Sequence, residues 1–173
     1  MQQELWEKAC AFHGHICPGL ALGARVCEAA LEAGFKPSED EELVCITEND
    51  ACGVDAIQAV LGCTFGKGNL IYKGTGKHAY TFIQREQGRA ERFYLRARKE
   101  GRNRADYLAY VLEAPLDELF VRKDVQVALP EKARIFVSVD CEICGEEAPE
   151  HKIRLQEGKK VCLDCYREYE RGF

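Results

Sequence analysis

Hydrophobic positions recur at helical intervals over the first third of the chain and then give way to short, unbroken apolar runs. Leu5, Ala9 and Phe12 lie close to a helical repeat beside a stripe of Trp6, Cys10 and His13, which predicts a first helix over residues 4–13 ending at Gly14. A second helix starts at Pro18, whose missing N–H suits a first-turn position, runs through Leu20, Ala24, Cys27 and Leu31, and stops at Gly34. Leu43 to Glu48 reads as a buried strand. A helix from about Cys52 to Leu61 follows, with Asn49 or Asp50 as its cap and Gly62 as its stop.

Leu70–Tyr72, Ala79–Ile83 and Ala90–Leu95 are strand-like runs separated by glycine-bearing turns, which suggests an antiparallel meander. Helical periodicity returns over Arg104–Ala114, and Pro115 opens a second short helix. Val125–Ala128 and Ile135–Val139 supply further strand-like runs. Strands clustered in the middle with helices at both ends imply an α+β fold, a mixed helix and antiparallel-sheet core. The boundary region is Pro130–Asp140, giving a core over residues 1–138 and a small module over 139–173.

That module contains Cys141-x2-Cys144 and, after seventeen intervening residues, Cys162-x2-Cys165. Two-residue spacers turn both thiolates of each arm onto one ion, and four sulfurs suit tetrahedral zinc. Gly145 supplies the tight turn after the first arm, and residues 163–169 read as a short helix, so the expected form is a treble-clef zinc finger. So small a module depends on its metal to fold.

Composition narrows the setting of the 173-residue chain. Six of its ten cysteines lie outside the finger, yet the N-terminal residues lack a basic and apolar leader and no run reaches membrane-spanning length. These features point to a reducing cytoplasmic location without membrane contact. The net charge of −5 argues against a protein dedicated to neutralising phosphates, and the finger carries six Lys/Arg against eight Asp/Glu. Between Arg85 and Arg104 eight basic residues face three acidic ones, either a solvated face or a polyanion contact.

Core chemistry concentrates in two segments. In Phe12-His13-Gly14-His15-Ile16-Cys17-Pro18-Gly19, His15 and Cys17 offer one nitrogen and one sulfur to a borderline-soft metal, and Cys17 precedes a helix start, where the dipole favours thiolate. In the second, Cys52 stands at a strand-to-helix junction with Asp55 and Gln58 on roughly the same face. His15, Cys17 and Cys52 are thus the expected ligands of a second metal in a core cleft. Cys17 or Cys52 is the ligand or nucleophile, and Asp55 the acid/base or orienting group. Cys63 lies eleven residues beyond Cys52, about 16 Å along an unbroken helix, too far to share an ion with it. The segment from Cys63 to Asn69 has the composition of a phosphate cradle without P-loop spacing.

Phe-His-Gly-His-x-Cys-Pro-Gly at 12–19, Asp-Ala-Ile-Gln at 55–58, Gly-Cys-Thr-x-Gly-x-Gly-Asn-Leu at 62–70 and Gly-Lys-His-Ala at 76–79 resemble the FmdE family of formylmethanofuran dehydrogenase. The resemblance covers about residues 5–140 and extends to members that add a C-terminal finger. It implies a dimerising α+β core whose cleft holds a metal, with His13, Gln58 and Cys63 joining His15, Cys17, Cys52 and Asp55 at the matching positions. It also implies an accessory role in formylmethanofuran and one-carbon metabolism, as in methanogenesis. The competing expectation is a dimeric binding or regulatory module whose finger docks a protein or nucleic-acid partner.

Overall fold

The computed structural model describes residues 1–97 and 99–172. It separates into two compact units, Met1–Ala133 and a second beginning at Arg134.

In the first unit, α1 (Gln3–His13) ends at Gly14, whose φ of 81° is a left-handed conformation open to glycine at little cost. The helix α2 (Pro18–Glu32) carries Pro18 in its first turn, and β1 (Leu43–Thr47) leads into α3 (Gly53–Leu61), closed by Gly62. Asn49 does not cap α3; its Oδ1 accepts from the Ala51 N–H at 3.1 Å, closing a turn just before the helix. The remaining strands are β2 (Leu70–Tyr72), β3 (Ala79–Gln84), β4 (Arg89–Leu95) and β5 (Phe120–Asp124), with α4 (Arg104–Glu113) and α5 (Leu116–Leu119) between the last two. Asn103 caps α4 by accepting from the N–H groups of Ala105 and Asp106.

The sheet order is β2-β1-β3-β4-β5. This corrects the expected meander. Although β2 precedes β3 in sequence, it pairs parallel with β1, Cys45 opposite Leu70, across the α3 crossover, and β3 takes the other side of β1 in antiparallel register, Cys45 opposite Phe82. Helix α3 needs a sheet face to cover its apolar stripe, and a parallel return is the connection that provides one. A second correction concerns β5, which occupies Phe120–Asp124 rather than Val125–Ala128. Its register with β4 matches Phe93 to Arg122 and Leu95 to Phe120, placing charged residues on a strand that composition disguised.

The helices share one face of the sheet. Leu20, Ala24 and Cys27 of α2, and Ile57 and Leu61 of α3, close with Leu43, Cys45, Phe82 and Phe93 into one buried core. Phe35, Phe82 and Phe93 form its aromatic centre, with ring centroids 5.6–6.5 Å apart. Three arginines of the basic tract are absorbed by this unit. Arg85 pairs with Glu41, Arg92 with Glu48, and Arg89 and Arg122 both with the buried Glu91. Arg98 of that tract lies outside the described residues. The glycine-lysine loop is likewise structural. Asn69 is fully buried and donates to the carbonyls of Asp40, Leu43 and Gly62, while Lys67 Nζ donates to those of Ser38 and Glu39.

The second unit is built on two hairpins. β6 (Ser138–Asp140) pairs with β7 (Glu147–Pro149), and β8 (Ile153–Gln156) with β9 (Lys159–Cys162). Glu157 and Gly158, both at positive φ, make the two-residue turn of the second hairpin. Residues 166–172 are irregular, so the expected terminal helix is absent among the described residues.

Candidate functional site

Among the described residues, two groups of metal-ligating side chains form, one in each unit. In the finger, the sulfurs of Cys141, Cys144, Cys162 and Cys165 all lie within 4.8 Å of one another, with Cys144 and Cys162 at 4.0 Å. A zinc tetrahedron with bonds of about 2.3 Å puts its sulfurs roughly 3.8 Å apart, so the donor set fits zinc. Gly145, at φ 78°, closes the first knuckle by donating its N–H to the Cys141 carbonyl at 2.8 Å. N–H groups of the knuckle and the Cys162 N–H, 3.3 Å from the sulfur, hold the Cys141 thiol down to about 6. Cys165 is pushed up to about 12 by burial and by the neighbouring thiols, because four sulfurs cannot all ionise together without a cation. Among the described residues of this unit only Val161 and Cys141 are buried, too little apolar burial to hold it together without metal.

The core group comes from three separate places. His13 is the last residue of α1, Cys17 the N-cap of α2 and Cys52 the residue before α3, and their donor atoms also lie within 4.8 Å of one another. Glycines make this convergence possible. A Cβ on Gly23 would stand 2.2 Å from the Gly53 carbonyl oxygen, and one on Gly53 would stand 2.7 Å from the Tyr80 hydroxyl. Bare backbone therefore lets the start of α3 lie directly against α2 and carries Cys52 to Cys17. A Cβ on Gly19 would already sit 3.3 Å from that of Cys52.

His13 Nδ1 lies 2.6 Å from Asp55 Oδ2. A carboxylate only accepts, so Nδ1 donates in this contact and Nε2 is the ring nitrogen left facing the sulfurs, 3.9 Å from Cys17 Sγ. Gln58 Nε2 donates to the other Asp55 oxygen at 3.3 Å, fixing the carboxylate from behind. Cys17 Sγ accepts from the Leu20 N–H at 3.3 Å, as a helix N-cap does. Burial, and then the adjacent Cys17 thiol, push the Cys52 thiol above its usual value. That opposes the lowering a helix start gives, since two sulfur anions side by side repel.

Two sequence expectations change here. His15 is not in the donor group. After Gly14 turns the chain out of α1, His15 is exposed, with its ring packed on that of His13 at 4.3 Å, so His13 supplies the nitrogen. Cys63 is fully buried at the far end of α3, where it donates to the Leu43 carbonyl and burial pushes its thiol up to about 12. It lies outside both the donor group and the adjoining cavity.

That cavity, of about 520 Å³, opens beside the triad. His13, Cys52, Asp55 and Gln58 line it together with Asn49, Asp50, Phe65 and Tyr72. Asn49 and Asp50 were expected only as helix caps beside Cys52, and Phe65 and Tyr72 were not expected at the site. The signal available for Phe65 was an aromatic residue inside a glycine-rich polar loop. Among the described residues no helix is long and apolar enough to cross a membrane.

Comparison with known proteins agrees with this architecture. Residues 134–171 match the prokaryotic dksA/traR C4-type zinc finger. A curated relative from Archaeoglobus fulgidus, described as a probable S-adenosyl-L-methionine-binding protein, is 33% identical over 94% of this chain. The chain spans about half the length of that relative, 52%. A crystal structure of a tungsten formylmethanofuran dehydrogenase FmdE-like protein from Syntrophus aciditrophicus superposes with a TM-score of 0.71 at 25% identity, covering 94% of this chain and 90% of that one. Residues 12–121, the stretch that carries the triad and its cavity, match the family described as FmdE, molybdenum formylmethanofuran dehydrogenase operon, and the chain belongs to that family.

Proposed function

We propose that the core is a metal-dependent small-molecule site in which His13, Cys17 and Cys52 hold the ion and leave a coordination position for a ligand in the adjoining cavity. The observation that carries this reading is the Asp55–His13 contact, which turns Nε2 toward two sulfurs that share its space. Carboxylate–histidine–metal triads of this kind fix the imidazole tautomer and raise its basicity. One nitrogen and two sulfurs suit zinc or another borderline metal, which would supply Lewis acidity toward a bound oxygen or nitrogen atom. The residues of the chain do the rest. Asp55 keeps the proton on Nδ1, Gln58 holds Asp55, and the walls of the cavity set what can approach. The description of the Archaeoglobus relative makes S-adenosyl-L-methionine the first compound to test in the cavity, and the family's description supports a role near formylmethanofuran and one-carbon chemistry.

Metal analysis of the anaerobically purified full chain tests the reading. The expectation is two ions per chain, falling to one in Cys17→Ser and in Cys52→Ser. One ion in the parent chain, or two in both variants, would sink it.

The core is also proposed to form a homodimer, supported by Val127 and Leu129, 39% and 49% exposed at the end of this unit. Sedimentation at micromolar concentration should give twice the chain mass. A second reading makes the finger a protein-docking module, favoured by the exposure of Ile143, Leu155 and Leu163 at 58%, 74% and 46%. Loss of a partner from an L155D variant with intact zinc would support it. Nucleic acid is the less favoured partner, because Arg85, Arg89 and Arg92 are committed to internal carboxylates.

A further inference from the structure

Deepening the metal-site reading on which it rests, we infer that the cavity beside His13 and Cys52 selects a ligand bearing a fixed positive charge, an onium group of the ammonium or sulfonium type. The charged side chains lining the cavity are Asp50 and Asp55, and among the described residues no lysine or arginine lines it. Lys67 Nζ donates to the Ser38 and Glu39 carbonyls and Arg92 is paired with Glu48, while Lys73 and Lys77, whose backbones bond to Thr47 and Asn49 of the lining, are exposed and do not line the cavity. Asp55 is occupied by His13 and Gln58, which leaves the exposed Asp50 as the lining carboxylate outside the ion pairs.

Two aromatic rings complete the wall. Phe65 is 60% exposed and Tyr72 48% exposed, large apolar surfaces left uncovered at the cavity instead of packed in the core. Aromatic faces combined with a carboxylate are the chemistry that recognises quaternary cations, through the ring quadrupole and Coulombic attraction. A bound metal does not reverse the sign. Two thiolates neutralise a divalent ion and the imidazole adds no charge, so an anionic ligand would still meet Asp50 without a counter-charge. The metal end of the cavity would hold a neutral donor atom of the ligand and the aromatic rim its cationic group.

The test is a calorimetric titration of the metal-loaded full chain with choline and with its uncharged isostere, in which a tert-butyl group replaces the trimethylammonium. Choline should bind saturably and about fivefold or more tighter than the isostere, a margin that two cation–π contacts at partly exposed rings supply. Asp50→Asn and Phe65→Leu, neither of which changes a metal donor, should each remove most of that selectivity, the leucine keeping apolar volume while deleting the ring. Equal affinity for the two probes, or selectivity unchanged in both variants, would overturn the inference. Metal content is measured on the same samples. Selective choline binding without core metal would retain the onium site and remove the metal reading, and two ions per chain without selectivity would do the opposite.

Discussion

The two cysteine centres are opposites in construction. The finger draws its four sulfurs from two short arms on hairpins within forty residues, and its chain around the metal is mostly exposed. The core centre draws one residue each from the end of α1, the start of α2 and the approach to α3, around a Cys17 that is 4% exposed. Four donors close a tetrahedron, whereas three leave a position for a ligand. The finger therefore depends on its ion for its fold, while the core makes its site from a fold that already exists.

Removing zinc is the strongest way to separate the two. Structural zinc in modules of this size contributes about 10–16 kcal/mol, so a tight chelator, or Cys162→Ser, should collapse the chemical shifts of residues 134–172 and leave those of 1–133 in place. Native-like finger shifts without metal would make the two centres alike.

Gly23→Ala attacks the core from the other side. Its Cβ would meet the Gly53 backbone at 2.2 Å, and neither backbone can move without parting α2 from α3. The expected cost is about 2–4 kcal/mol in denaturant unfolding of the core, with loss of the proposed core metal and an unaffected finger. A variant with the parental midpoint and two ions would show that the close helix approach is not what builds the site.

Asp55→Asn probes the smaller contribution of orientation. The amide removes the charge that orients His13, and affinity for the proposed core metal should fall about 10- to 100-fold in competition with a chromogenic chelator. Finger affinity should not move.

The smallest effect lies in acid. Burial raises the Glu91 carboxyl, but hydrogen bonds from Arg122 and Arg89 outweigh it and hold the group below the usual range. A lowered native pKa stabilises the fold at pH values above the unfolded value of about 4.3 and loses that contribution as pH falls through the native one. Core stability should thus decline chiefly below about pH 4.3, more shallowly in Glu91→Gln. The finger should release zinc at higher pH, because its thiolates take up protons first. Coincidence of the two transitions would erase the contrast.

Much of this was readable without a structure, for local reasons. The zinc arms needed only their spacing, and α1, α2 and α3 ended at Gly14, near Gly34 and at Gly62, because glycine escapes the steric penalty of a left-handed residue. The motifs around Cys17 and Cys52 singled out, from the same kind of information, two sulfurs that the fold brings together. Tertiary packing decided the rest. It chose His13 over His15, since the turn at Gly14 and the reach of Asp55 from α3 fix which imidazole faces the sulfurs. It also returned β2 parallel to β1, left residues 166–172 without a helix, and brought Phe65 and Tyr72 to one cavity. Spacing along a chain determines contacts within a turn or a hairpin, but which distant residues meet depends on how closely two helices can approach, and here that was settled by Gly23 and Gly53 having no side chains.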